Sequence, residues 1–290
     1  MARLLIIGSG PAGVSAALYA RRGGAQVTVI SKDCGALEKA EKIENYYGLE
    51  DPLSGAELAQ RGVAGAKRLG VEFLEDEIME LGFQEDGKGF YAKSEDHVYD
   101  GDAIILAAGA ARMRPPMAGL RELEGHGVSY CAVCDAFFYR KKRVAVLGAG
   151  AYALHEAQVL LPLASKVLLL TNGDQTESPV PEGIEVYEGK LQSILGENRV
   201  EAVKFSNGEE IPVDGIFVAI GTAGSTDLAR KMGILVEENS VKIGEDGSTN
   251  IPGVFAAGDC TGGLLQIPKA VYQGAIAGLS ALKYLRERIG

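Results

Sequence analysis

Cys131 and Cys134 stand with two residues between them in "CAVC", and Asp135 follows at once. Two thiols at that spacing can close a small disulfide ring and open it again as a redox couple. A carboxylate beside them can carry protons as thiol and disulfide interconvert. The same residues also fit half of a zinc site, or an inert buried pair with Asp135 as a helix cap. The remaining cysteines, Cys34 and Cys260, are isolated, and none of His97, His126 and His155 is spaced as a second half-site, so no metal is expected. Four cysteines in 290 residues do not make a secreted disulfide framework.

The second chemical signal is a glycine turn that occurs twice, 140 residues apart. The first copy is "RLLIIGSGPAGVSAALYARRGGAQVTVISKD" and the second is "RVAVLGAGAYALHEAQVLLPLASKVLLLTNGD". Each reads as an apolar strand, a G-x-G-x-x-G/A turn, an amphipathic helix, a second strand and then an acid, Asp33 or Asp174. In the first copy Gly8 permits the tight turn, and Ser9 and Gly10 let the backbone approach a pyrophosphate. Pro11 suits the first helical position, Ala12 follows it, and Gly13 allows close packing of helix on strand. Asp33 is either a ribose ligand or a surface turn residue. A dinucleotide site together with a dithiol points to flavin, which takes electrons singly or in pairs and can pass them to a disulfide.

These elements predict an α/β fold with two Rossmann-like dinucleotide-binding domains. Residues 103–110, "AIILAAGA", read as a buried strand ending in a glycine turn at Gly109. Crossings between domains are expected at "RMRPPMAG", near Pro115, and at "EENS", residues 237–240. The last 41 or so residues read as a strand, a Gly258-Asp259 turn and a long helix; if this segment returns to the first domain, the second domain is inserted in the first, as the family resemblance given below implies. The predicted division is 1–113 with 241–290, and 114–240 between them.

Composition narrows the partners. The chain is 47% apolar and 23% charged, as in globular proteins, and no stretch approaches the ~20 apolar residues of a membrane span. A net charge of -10 argues against nucleic acid, because phosphate binding needs a basic face. The expected location is cytoplasmic. The short basic runs, including Arg112 with Arg114 and residues 140–143, read first as solvated surface.

The stretches "IIGSGPAG" (6–13), "KIENYYG" (42–48), "CAVCDAFF" (131–138), the second glycine turn and "GVFAAGDCTGG" (253–263) occur in the order found in the low-molecular-weight thioredoxin reductases. The chain resembles that family over its whole length. The resemblance implies an FAD enzyme that acts as a homodimer and reduces thioredoxin. It implies that the first turn and Gly109 hold FAD, with Asn45 near the flavin, Asp259 on a ribityl hydroxyl, and Gly258 and Gln266 beside it. In the family the second cysteine, here Cys134, faces the flavin, the first, Cys131, attacks the partner disulfide, and Asp135 is the acid/base.

The departures from the family pattern concern the electron donor. Members that use NADPH resemble "GGGxSA" at the second turn and continue into "HRRxxxRA", whereas here Tyr152 stands in the turn and the strand runs into "TNGDQTES" without a basic residue. A 2'-phosphate needs a guanidinium or ammonium partner. Thr222 replaces a histidine in "GTAGST", and Leu265-Gln266 replaces Arg-Gln, removing a cation from the flavin side. The pattern, with "KDCGALEKAEKIENYYG", is similar to a branch fed by ferredoxin. A plant-type ferredoxin near about -400 mV lies about 130 mV below thioredoxin, roughly 6 kcal/mol downhill for two electrons. The expected donor is ferredoxin, with NADH or NADPH as the alternative. A non-catalytic flavin electron-transfer module is the reading from another class, and it leaves the dithiol without a use.

Overall fold

A computed structural model of the chain describes residues 2–33, 35–110, 115–176, 178–221 and 223–289. Cys34, Arg112, Arg114 and Thr222 lie outside the described residues. The chain divides into two compact units, Met1–Arg112 with Gly224–Gly290, and Met113–Ala223.

The first unit opens with Arg3–Ile7 (β1), which passes through the first glycine turn into Pro11–Arg22 (α1) and on to Gln26–Ser31 (β2). Gly55–Arg68 (α2) leads to Glu72–Glu75 (β3). An antiparallel meander of Glu80–Phe83 (β4), Phe90–Lys93 (β5) and Val98–Gly101 (β6) then feeds Ala103–Leu106 (β7).

In the second unit Val128–Ser129 (β8) precedes the dithiol turn Ala132–Asp135 (α3). Arg143–Leu147 (β9), Ala151–Leu160 (α4) and Lys166–Leu170 (β10) are the second copy of the glycine-turn motif. Ile184–Tyr187 (β11) follows, then a meander of Leu191–Leu195 (β12), Ala202–Phe205 (β13) and Glu210–Pro212 (β14), and finally Gly215–Val218 (β15). The chain re-enters the first unit with Ser225–Met232 (α5), Val236–Glu237 (β16), Ser240–Val241 (β17), Val254–Ala256 (β18) and Ile267–Ile289 (α6).

Among the described residues the large sheets are wholly parallel and run in one order: β18-β7-β1-β2-β3 in the first unit, and β8-β15-β9-β10-β11 in the second. Such strands are buried on both faces, which is why β1, β7, β9, β10 and β15 are near-continuous runs of Leu, Ile and Val. Each unit has its own core, Leu4, Ile6, Val29 and Ile105 in one, and Ala145, Leu147, Leu168 and Ile216 in the other. The duplication reaches details of side chains. Arg3 N–H donates to Asp102 Oδ2 at 2.8 Å, and Arg143 N–H to Asp214 Oδ2 at 2.9 Å, while each aspartate N–H returns a bond to the same arginine carbonyl.

The second crossing lies at 223/224, not at 240/241. "EENS" is a hairpin turn: β16 and β17 pair across it, and Glu238 and Asn239 take the left-handed φ of 47° and 64° that a two-residue turn requires. The helix before it is already tied into the first unit, Ser225 Oγ to Gly109 O at 3.0 Å and Lys231 Nζ to Met79 O at 3.0 Å.

The C-terminal return is secured by α6 lying directly on α1. A Cβ on Gly274 would sit 2.1 Å from Ala12 O, and one on Gly278 would sit 2.5 Å from Ala16 O, so side chains cannot separate the helices there. We expect Gly274→Val to force α6 off α1 and lower stability by about 1–3 kcal/mol, read as a fall in the urea midpoint followed by circular dichroism.

Candidate functional site

The first glycine turn is shaped for a phosphate. Gly8 has φ 110°, and a Cβ there would strike Ala107 O at 2.3 Å, so the turn needs glycine. A Cβ on Gly13 would strike Gly8 O at 1.9 Å, which seats the helix close on the strand. Gly10, by contrast, faces open space: a Cβ there would meet nothing within 4 Å. The helix α1 begins at Pro11 without a side-chain cap and without an acid in its first turn, leaving its backbone N–H groups to an anion. Ser9 is held on the strand side, accepting from Ser31 Oγ at 2.8 Å and donating to Asp33 O at 3.1 Å. The Asp33 carboxylate accepts from Gly35 N–H at 2.8 Å, which makes it a turn residue here.

The other expected cofactor residues gather in this unit from distant segments. A Cβ on Gly258 would meet Ala12 Cβ at 2.8 Å, so the Gly258-Asp259 turn abuts the start of α1. Gly109, at φ 77°, faces open space as Gly10 does. Asn45 Nδ2 lies 3.4 Å from Gln266 Oε1, across 221 residues of sequence. These residues fit a dinucleotide flavin: a cradle with room for a pyrophosphate, uncapped N–H groups, and amides at the far side.

Two residues at this turn carried no sequence signal. Gln273 Oε1 accepts from Gly258 N–H at 3.0 Å and from Thr261 Oγ1 at 2.9 Å. Lys269 Nζ donates to Gly258 O at 2.7 Å and to Thr261 Oγ1 at 3.3 Å, and burial lowers its pKa. Leu265 therefore does not leave the turn without a cation.

The dithiol belongs to the second unit. Cys131 and Cys134 form a disulfide with Cα atoms 5.3 Å apart. Cys131 is 3% exposed, while Cys134 is exposed, and its N–H donates to Cys131 Sγ at 3.2 Å. Asp135 is tied to the pair through Ser129, whose Oγ donates to Asp135 Oδ2 at 2.6 Å and accepts from Cys131 N–H at 3.1 Å. Beyond the pair, Phe137 and Phe138 are 66% and 69% exposed and meet edge to face at 6.3 Å, with the Arg140 guanidinium over Phe137. Tyr139 turns inward against Phe217, and burial with Asp135 and Asp214 raises its pKa.

The second glycine turn repeats the backbone of the first. Gly148 N–H donates to Leu170 O at 3.0 Å as Gly8 N–H does to Ile30 O at 2.8 Å, and Gly150 and Gly10 share an extended conformation at the helix start. The side chains differ. Tyr152, the second helical residue, stands where the NADPH-using pattern has serine, and it is fully buried. At the end of β10, Asn172 and Gly173 make a turn with φ 57° and 91°, and Asp174 is exposed. The linear reading found no base there, but the fold brings one: a Cβ on Gly173 would sit 3.5 Å from Lys190 Cε.

Residues 2–274 match the pyridine nucleotide-disulphide oxidoreductase family. A thioredoxin reductase of Listeria innocua is 34% identical over 303 residues, 98% of this chain and 94% of that protein. The crystal structure of an atypical thioredoxin reductase from Desulfovibrio vulgaris Hildenborough superposes with a TM-score of 0.92 at 39% identity, covering 99% of each chain. That of a ferredoxin-flavin thioredoxin reductase from Clostridium acetobutylicum gives 0.74 at 32% identity, over 99% of this chain and 98% of the other. With its two glycine turns and its Cys131–Cys134 disulfide, the chain belongs to the pyridine nucleotide-disulphide oxidoreductase family, among the FAD-dependent enzymes of the thioredoxin reductase type.

Proposed function

We propose that the chain reduces thioredoxin through Cys131 and Cys134 and receives its electrons from reduced ferredoxin. The observation that carries the first half is the disulfide whose one open sulfur, Cys134, sits beside the exposed aromatic pair Phe137 and Phe138. Residues 8–13, Asn45, Gly109, Gly258, Asp259 and Gln266 would hold FAD, which when bound would supply the exchange between a one-electron donor and a two-electron disulfide. Once the pair is reduced, the Cys131 sulfur attacks the disulfide of oxidised thioredoxin and one thioredoxin sulfur leaves. Cys134 then attacks the mixed disulfide, releasing the second thioredoxin sulfur and restoring the Cys131–Cys134 bond. Asp135, bonded through Ser129 to the Cys131 backbone, exchanges the proton. Cys131 is buried while oxidised, so its attack requires the turn to open. The family resemblance supports a cytoplasmic homodimer.

The donor assignment draws on Tyr152, on the guanidinium-free end of β10, and on the name of the Clostridium acetobutylicum relative. An acidic ferredoxin needs a basic landing place on a protein of net charge -10, and residues 140–143, "RKKR", offer one. The second reading makes NADPH or NADH the donor. Lys190 beside Gly173 favours it, as an ammonium within reach of a 2'-phosphate.

Under anaerobic conditions reduced ferredoxin is expected to bleach the flavin and then reduce thioredoxin, and NADPH and NADH to leave the absorbance unchanged. Rapid bleaching by NADPH would replace the ferredoxin reading with the second one. Cys131→Ser is expected to cost about 10³-fold or more in thioredoxin reduction while flavin bleaching continues. Replacing Phe137 and Phe138 with Ala is expected to raise KM for thioredoxin about tenfold, the effect of losing about 1.4 kcal/mol at a docking surface, with kcat little changed.

A further inference from the structure

Glu156 is 1% exposed on α4, one turn after Tyr152, and Oε2 of its carboxylate accepts from Ala132 N–H at 2.7 Å. Ala132 directly follows Cys131, so the consecutive N–H groups of Cys131 and Ala132 are both committed. One goes to Ser129 Oγ, itself bonded to Asp135, and the other goes to Glu156. In dithiol turns an N–H that faces the first sulfur stabilises its thiolate, and Cys134 N–H does so here at 3.2 Å. Opposing it, the Glu156 carboxylate sits on the N–H of the residue next to the sulfur.

We infer that Glu156 is a positioning residue for the redox step, holding the dithiol turn by its first N–H and keeping the Cys131 sulfur protonated once the disulfide opens. Opening breaks the S–S bond and places two electrons on the two sulfurs, each of which keeps its charge or takes up one proton. Beside Glu156 the Cys131 sulfur takes the proton, because a buried carboxylate bonded to the adjacent residue disfavours a second negative charge there. The other titratable groups on the elements packed here are Asp135 on the dithiol turn, Tyr139 with Asp214 behind it, and Tyr152 and His155 on α4. The inference rests on Cys131 and Cys134 being a redox couple.

The test is the pH profile of Cys131 alkylation by iodoacetamide in the FAD-loaded, reduced Cys134→Ser protein, read by mass spectrometry of the Cys131 peptide. Cys260, whose buried thiol is pushed up to about 11, serves as the unreactive control. Adding Glu156→Gln keeps an acceptor for Ala132 N–H and removes the charge. The midpoint of the Cys131 profile is expected to fall by about one pH unit, with circular dichroism and flavin absorbance unchanged. A midpoint equal to that of the parent overturns the inference. If the glutamine variant does not fold, Glu156→Asp, which withdraws the carboxylate by one methylene, is expected to give a smaller fall, and no fall overturns the inference in the same way. Thioredoxin turnover does not enter the measurement, so this inference and the proposed activity fail independently.

Discussion

The contact on which the flavin unit depends is one between helix backbones. α6 lies so close on α1 that Gly274 and Gly278 have no space for a side chain against Ala12 and Ala16. That closeness brings the last segment of the chain back to the first glycine turn across the whole of the second unit. It sets the Gly258-Asp259 turn against the start of α1, and with it Gln266 beside Asn45 and Lys269 on the Gly258 carbonyl. None of these residues is near the first turn in sequence. A cradle for one long dinucleotide is thus assembled from three stretches by one close helix crossing, and its accuracy rests on the rigidity of small residues in contact.

The two units are the same solution used twice. The strand order, the meander before β7 and before β15, and the paired arginine and aspartate at the strand ends all recur. The difference lies in the first turn of the helix. Pro11 and Ala12 follow Gly10 in the first, whereas Ala151 and the fully buried Tyr152 follow Gly150 in the second. Backbone geometry is therefore retained while the side chains change, because the turn is required by the strand-to-helix packing whether or not an anion sits above it.

Much of this was legible in the sequence, and the reason is periodicity. The doubled strand, turn and helix and the proximity of the dithiol to Asp135 follow from local spacing, while the insertion of one unit in the other came from the family resemblance. The boundary at 224 was not legible, because "EENS" is a polar hairpin turn and polar turns look alike whether they end a domain or a strand pair. Lys190 was missed for a different reason: it reaches the end of β10 from a later segment. Glu156 and Lys269 were hidden in the same way, each lying within an ordinary helical sequence and acquiring its meaning from a backbone N–H or carbonyl brought to it by the fold.

Glu156 also bears on why the second unit keeps its architecture on the proposed reading, in which no nucleotide is bound there. α4 is the helix that a glycine turn launches over a phosphate, and Glu156 and Tyr152 project from it one turn apart into buried space. The glutamate reaches the N–H next to Cys131, so the placement of the dithiol depends on the placement of α4. α4 in turn is placed by Gly148, which cannot carry a Cβ without striking Ala219 O at 2.3 Å. The glycine turn, the helix and the carboxylate thus form one chain of contacts ending at the Ala132 N–H, beside Cys131. A unit built this way has a reason to preserve its turn that is independent of any ligand, because loosening the turn would move the Cys131 sulfur, which on the proposed reading attacks the partner disulfide.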